Sequence, residues 1–320
     1  MTKPTHRTVR TNGIDMHVAE QGEGPAVVLC HGFPELWYSW RHQLPALAEA
    51  GYRAIAPDQR GYGGTDRPPA LEDYDIIHLT DDMLGLLDAL GEDSAVFVGH
   101  DWGSPVVWNL ALRAPERVRG VAGMSVPFLP RGPMDPVQAL DALFADQFFY
   151  ILYFQQPGVA DQDLGRDTRD TLRRFYAAIS AEATAEAFRP LPREGTTLRD
   201  WLPEPGALPG WLSQADLDLY VTEFTRTGFT GGLNWYRCRT SGAYDAELQL
   251  FCGRTIDVPA MFIAGKRDWG IFQVPGSIER MQNSACTRML GCHLIESAGH
   301  WVQQEQPEQV SELLLQFLTQ

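Results

Sequence analysis

The chain is predicted to adopt an α/β fold, with a mostly parallel central sheet wound on both faces by helices and a helical lid inserted into it. Three observations carry that expectation. Short apolar runs end abruptly at turn signals, as strands buried on both faces do. A helical apolar repeat separates two of these runs, so strand and helix alternate. A long aromatic interruption, punctuated by Pro and Gly, then breaks the alternation before it resumes toward the C-terminus.

Each element can be justified in turn. Residues 27–30 form an apolar run that stops at His31-Gly32, 54–56 a run that stops at Pro57-Asp58, and 95–98 a run that enters Gly99-His100-Asp101. Between the last two, Ile76, Ile77, Leu79, Met83, Leu84, Leu86, Leu87 and Leu90 recur at helical spacing, and Gly91 supplies the stop. Further strands are expected at 118–126, 259–264 and 293–296, and Val310, Leu313, Leu314, Phe317 and Leu318 form one face of a C-terminal helix. Residues 128–248, with Pro130, Pro133, Pro136 and the turn-rich stretch 202–209, read as the lid. The core is then 1–127 together with 249–320, a sheet that the chain leaves and rejoins.

Composition narrows the function. Apolar residues are 44% and charged residues 21% of the 320, so a sizeable buried core is expected. A formal charge of −15 repels phosphate backbones and anionic headgroups, which disfavours nucleic acid and membrane as partners. No apolar run reaches the roughly 18–20 residues of a bilayer span, and the N-terminus lacks the hydrophobic stretch of a signal peptide. A soluble, cytoplasmic protein is expected. Its five cysteines contain no C-x-x-C pair and suggest reduced thiols rather than disulfides or a zinc site.

The most informative stretch is Gly99-His100-Asp101-Trp102-Gly103, a strand entering a tight turn and then a helix. It has the form of a nucleophile elbow with Asp where Ser is usual. An isolated Gly-x-Asp would more often cap a helix; the preceding strand and the two flanking glycines favour a nucleophile. A carboxylate attacking an acyl carbon yields only an anhydride, whereas attack at a saturated carbon yields an alkyl ester that water must then cleave. That second step needs a base and an oxyanion site. His300 follows the last strand and Asp268 the one before it, so Asp101, Asp268 and His300 occur in the chain order nucleophile, acid, base. Backbone N–H groups of Phe33, in the turn after the first apolar run, and of Trp102 are the candidate oxyanion donors.

The segments HGFPE (31–35), DQRGYGGTD (58–66), GHDWG (99–103) and GHW (299–301) resemble those of epoxide hydrolases of the α/β-hydrolase fold, and the resemblance spans nearly the whole chain. Two lid segments are also similar to that family: Tyr153-Phe154-Gln155-Gln156-Pro157-Gly158 and Asn234-Trp235-Tyr236-Arg237. The resemblance implies that Tyr153 and Tyr236 support the epoxide oxygen, and it places Phe33, Trp102 and Trp235 against the substrate, with Glu35 nearby but without a chemical step. A phenol suits the task, since ring opening leaves an alkoxide that needs a donor at neutral pH. The implied enzyme needs no cofactor or metal, forms a vicinal diol from a small-molecule epoxide, serves detoxification, and is compatible with a homodimer.

Two other readings compete. A haloalkane dehalogenase shares the Asp nucleophile and the following Trp, but halide expulsion calls for side-chain donors and Phe33 has none. Fluoroacetate-type dehalogenases carry Arg where this chain has Trp102. A non-catalytic ligand-binding relative would not need the complete set of nucleophile, base, acid and tyrosines.

Overall fold

The computed structural model describes residues 3–131, 136–183, 189–238 and 245–320. Its eight strands are β1 (Thr5–Thr11), β2 (Ile14–Gln21), β3 (Ala26–Cys30), β4 (Arg53–Pro57), β5 (Ala95–His100), β6 (Val118–Met124), β7 (Ala260–Gly265) and β8 (Met289–Ile295). They lie side by side in the order β1-β2-β4-β3-β5-β6-β7-β8. β2 pairs antiparallel with both neighbours, and the pairs from β4 to β8 are parallel.

Side chains alternate across the sheet and feed two separate apolar layers. Val27 and Leu29 of β3 pack with Leu44 and Leu47 of α1 (Gln43–Glu49) and with Val310, Leu314 and Phe317 of the C-terminal helix Pro307–Leu318. Val28 and Cys30 turn to the other face, against Met83 and Leu87 of α2 (Ile76–Leu90) and Val106 and Val107 of α3 (Gly103–Arg113). With both faces covered, a strand has no solvent side and appears in sequence as a continuous apolar run. α2 has the expected bounds: Asp75 caps it by accepting from the His78 N–H, and Gly91 ends it in the left-handed conformation at φ +72°.

Three features depart from expectation. The β1–β2 hairpin gave no apolar run because β1 sits at the sheet edge and most of its side chains are exposed. β6 stops at Met124 rather than residue 126, since Ser125 takes φ +66°. β8 begins at Met289, earlier than expected, because it is also an edge strand and only Ile295 is fully buried.

Between β6 and β7 the described residues form helices, among them Tyr150–Tyr153, Val159–Gly165, Thr168–Ala178, Gln214–Thr227 and Thr230–Cys238. Pro136 opens the helix Pro136–Leu143, where its missing N–H costs nothing, and Pro133 lies outside the described residues. These helices are joined to the loops beyond the C-terminal ends of the strands: Tyr176 Oη donates to the Pro34 carbonyl at 2.6 Å, and Trp235 Nε1 to the Arg60 carbonyl at 3.0 Å. β3 is followed in sequence by its neighbour on one side, β4, and then by its neighbour on the other, β5. The crevice outside the ends of β3 and β5 is therefore the switch point at which open α/β sheets bind ligands.

At that point β5 turns directly into α3. A Cβ on Gly99 would overlap the Gly103 carbonyl, and a Cβ on Gly103 would overlap the Cys30 carbonyl at the end of β3. Gly103→Ala would ordinarily gain up to about 1 kcal/mol of helix propensity, but the overlap falls on backbone that cannot swing away, and overpacking costs roughly 1–3 kcal/mol or more. The substitution is expected to lower the urea midpoint; a midpoint at or above that of the wild type would show that β3 and α3 can move apart freely.

Candidate active site

Asp101 stands at the elbow between β5 and α3 with φ +48°, a left-handed conformation uncommon for a residue with a side chain. Its N–H donates to the Met124 carbonyl at 3.2 Å, and the Ser104 hydroxyl donates to the carbonyls of Gly99 and Met124 at 2.8 and 2.7 Å. The turn is thus secured to both β5 and β6, and the carboxylate projects into the switch-point crevice. There Oδ1 accepts the Phe33 N–H at 2.8 Å. Gly32 makes the contact possible, because a Cβ at that position would overlap the side chain of Asp101. The Trp102 amide follows Asp101 directly, at the N-cap of α3.

The other two triad candidates converge on the second carboxylate oxygen. His300 Nε2 is 3.4 Å from Asp101 Oδ2, and its Nδ1 is 3.1 Å from Asp268 Oδ1. Asp268 is fully buried after β7, where Oδ1 also accepts the Gly270 N–H at 2.8 Å. Burial alone would lower the pKa of His300, but the adjacent Asp268 carboxylate, together with hydrogen bonds and charge from Asp101, raises it well above the usual 6.5. The His300 carbonyl accepts from Ser125 Oγ at 2.9 Å and lies 2.7 Å from His100 Nε2, while its N–H donates to the Ile179 carbonyl at 2.8 Å.

Glu35 lies behind this group and is completely buried. Oε2 accepts the Gly32 N–H at 2.8 Å and is 2.6 Å from His100 Nδ1; Oε1 accepts from Gln303 and Gln304 at 2.9 and 3.2 Å. Burial pushes the carboxyl up, yet the charge and hydrogen bond of His100, with His31 and the Gly32 N–H, hold it down to about 2. Sequence reasoning placed Glu35 nearby but missed its partner His100, whose side chain is hidden under the elbow.

Asp101 and His300 open onto a mostly apolar cavity of about 670 Å³ that Phe33, Trp102 and Trp235 also line. Tyr236 reaches it from the helix Thr230–Cys238, its ring edge-on to Trp102 at 5.0 Å between centroids. Burial first, and then the Asp101 charge, raise its phenol well above 10, while a hydrogen bond from the Trp102 indole acts the other way. An indole only donates, so Tyr236 accepts it and keeps its own proton to give.

Tyr153 stands apart from the other expected site residues. Tyr153 does not line the cavity; its hydroxyl donates to Asp163 Oδ2 at 3.0 Å, on the neighbouring helix Val159–Gly165. Tyr150, at the other end of the same short helix, lines the cavity instead, with its ring 6.0 Å from that of Tyr236. The remaining motif residues brace the two tyrosine-bearing helices. Gln155 Nε2 donates to the carbonyls of Ile151 at 2.8 Å and Tyr236 at 3.2 Å, and Arg237 Nε to the Phe154 carbonyl at 2.9 Å. Arg237 also pairs with Asp161 at 2.5 Å, and Asp161 in turn accepts from Thr230 and from the Gly158 N–H.

Among the described residues no group of three or more His, Cys, Asp or Glu side chains could hold a metal ion, and no helix is long and apolar enough to cross a membrane.

The chain is similar to known proteins over almost its whole length. Residues 25–307 match the family model of the alpha/beta hydrolase fold. The chain is 50% identical to Epoxide hydrolase A of Mycobacterium tuberculosis over 325 residues, covering 100% of this chain and 98% of the relative. Among solved structures, Epoxide Hydrolase A from Mycobacterium thermoresistibile superposes with a TM-score of 0.89 at 49% identity, covering 99% of this chain and 98% of that one. An epoxide hydrolase from an endophytic Streptomyces superposes with a TM-score of 0.95 at 41% identity, covering 100% and 96%.

The raised pKa of His300 has a measurable sign. Its protonation stabilises the fold fully below the unfolded value of about 6.5, and that contribution is lost as pH rises through the higher folded value. Asp268→Asn removes the strongest raising influence. The His300 midpoint, followed by NMR, should fall, and melting temperature should decline less steeply above pH 6.5 than in the wild type; an unchanged midpoint would show that Asp268 does not hold the proton in place.

Proposed function

The chain belongs to the epoxide hydrolases of the α/β-hydrolase fold, and from that premise we propose that it forms a vicinal diol through an ester on Asp101. The observation that carries the proposal is the unequal environment of the two carboxylate oxygens: Oδ1 accepts the Phe33 N–H, and Oδ2 faces His300. Oδ2 attacks an epoxide carbon and becomes the bridging ester oxygen. Oδ1 becomes the ester carbonyl, already seated where an oxyanion will develop. The Trp102 amide is the second donor to that oxyanion.

As the carbon–oxygen bond of the ring breaks, Tyr150 and Tyr236 support the leaving oxygen, and a phenol proton converts the alkoxide to the alcohol. Burial keeps the Tyr236 phenol neutral until then. In the second step water attacks the ester carbonyl, His300 Nε2 takes its proton, and Asp268 steadies the imidazolium through Nδ1. Esterification cancels the Asp101 charge, one of the influences that raise the pKa of His300, which moves the imidazole toward the neutral form a base requires; the proton it gives up replaces the one the phenol lost to the alkoxide. Collapse of the oxyanion releases the diol and restores the carboxylate. The proposal extends to a cytoplasmic protein with a detoxifying role; the mostly apolar cavity supports the choice of lipophilic epoxides as substrates.

A single turnover in heavy-oxygen water should leave the label in the Asp101 carboxylate, read by peptide mass spectrometry. Label appearing directly in the first diol would mean that water, not Asp101, opens the ring. Tyr150→Phe should slow alkylation by styrene oxide by about 10- to 1,000-fold, by analogy with the loss of an oxyanion donor. Tyr153→Phe should stay close to wild type. Stopped-flow quenching of tryptophan fluorescence separates the two, and a reversed order would return Tyr153 to the site.

A further inference from the structure

One partly buried carboxylate beside the base has no place in this chemistry. Glu305 ends the short helix Val302–Glu305 and lines a separate cavity behind the base rather than the substrate cavity. Its Oε2 accepts the N–H groups of Ala181 at 2.8 Å and Gly299 at 3.0 Å, with the Ser180 hydroxyl at 3.3 Å; its Oε1 accepts the Trp301 N–H at 3.0 Å. The two residues flanking His300 are therefore held by one side chain, while the His300 N–H itself goes to Ile179. Three consecutive amides of the base loop are fixed, two by Glu305 and one by the lid segment that Glu305 also binds. The loop is pressed against that segment closely enough that a Cβ on Gly299 would overlap the Ala181 nitrogen.

We propose that Glu305 is a positioning residue for ester hydrolysis, orienting His300 through the backbone of its loop. The proposal rests on the reading of His300 as the base. A carboxylate suits the task because it accepts along several directions at once, whereas a neutral amide offers one accepting oxygen and presents an N–H group at the other. The imidazole must keep Nδ1 on Asp268 and aim Nε2 at the ester, and displacement of a catalytic group by about 1 Å can cost on the order of 100-fold. Asp101 attacks without help from this loop, so the first step should be spared.

The test compares Glu305→Gln, Glu305→Asp and His300→Gln with styrene oxide, reading alkylation by stopped-flow fluorescence and hydrolysis by decay of the adduct in intact-protein mass spectrometry. Glu305→Gln should alkylate at close to the wild-type rate yet hydrolyse about 10- to 100-fold more slowly, accumulating adduct. Glu305→Asp, which keeps both oxygens on a shorter arm, should fall between. Unchanged hydrolysis, or alkylation and hydrolysis reduced by the same factor, would overturn the proposal. If Glu305→Gln does not fold, Glu305→Asp is read on the same two rates, and failure of both to fold would make Glu305 a folding residue only. His300→Gln separates the two levels: an adduct there with normal Glu305 variants removes only the positioning role, and no adduct there removes the base itself.

Discussion

The Phe33 N–H donating to Asp101 Oδ1 at 2.8 Å is the contact on which the rest of the site depends. It joins the loop after β3 to the elbow after β5 across the switch point, and it forms only because three positions lack a side chain. Gly99 and Gly103 let α3 close onto the ends of β3 and β5, and Gly32 lets the Phe33 loop approach the carboxylate. A carboxylate held by one oxygen has its other oxygen aimed by default. The position of His300 beside Oδ2, and of Tyr150 and Tyr236 on the inserted helices, has meaning only relative to that orientation.

Charge in this region is layered. Asp101 and Asp268 flank His300 in front, and Glu35 pairs with His100 behind. Glu35 receives four donors, which is what makes an anion tolerable at complete burial. Removing His100 would leave the buried anion short of a partner, and loss of one partner of a buried charge typically costs about 3–5 kcal/mol. Its reach is also geometric: one oxygen fixes Gly32, next to the Phe33 donor, and His100 passes on to the carbonyl of His300. The Phe33 loop and the His300 loop are thereby tied to one buried anion.

Much of this was legible in the sequence because backbone demands leave a trace in residue type. The elbow required glycines at 99 and 103, the parallel strands required continuous apolar runs, and α2 announced itself through Asp75, its periodicity and Gly91. The edge strand β1 left no such trace, since exposed polar residues are compatible with many conformations. The choice between Tyr150 and Tyr153 was illegible for another reason. Residues three apart on a helix project within about 60° of one another, so motif and periodicity do not say which faces the cavity. Asp163, from a different helix, decides it by accepting the Tyr153 hydroxyl. Glu305 was invisible in the same way, because its partners are chiefly backbone amides that any residue carries.

The bonds from Tyr176 to the Pro34 carbonyl and from the His300 N–H to the Ile179 carbonyl tie the inserted helices to the Phe33 loop and to the His300 loop. Such an insertion is not an exchangeable cassette. A chimera that imports another protein's helices would have to reproduce these registrations or lose the alignment of groups it does not itself contain. The freedom to diversify lies instead in side chains such as Leu140 and Leu143, which line the cavity and take part in neither tie, so substrate range can drift one residue at a time while the frame stays intact.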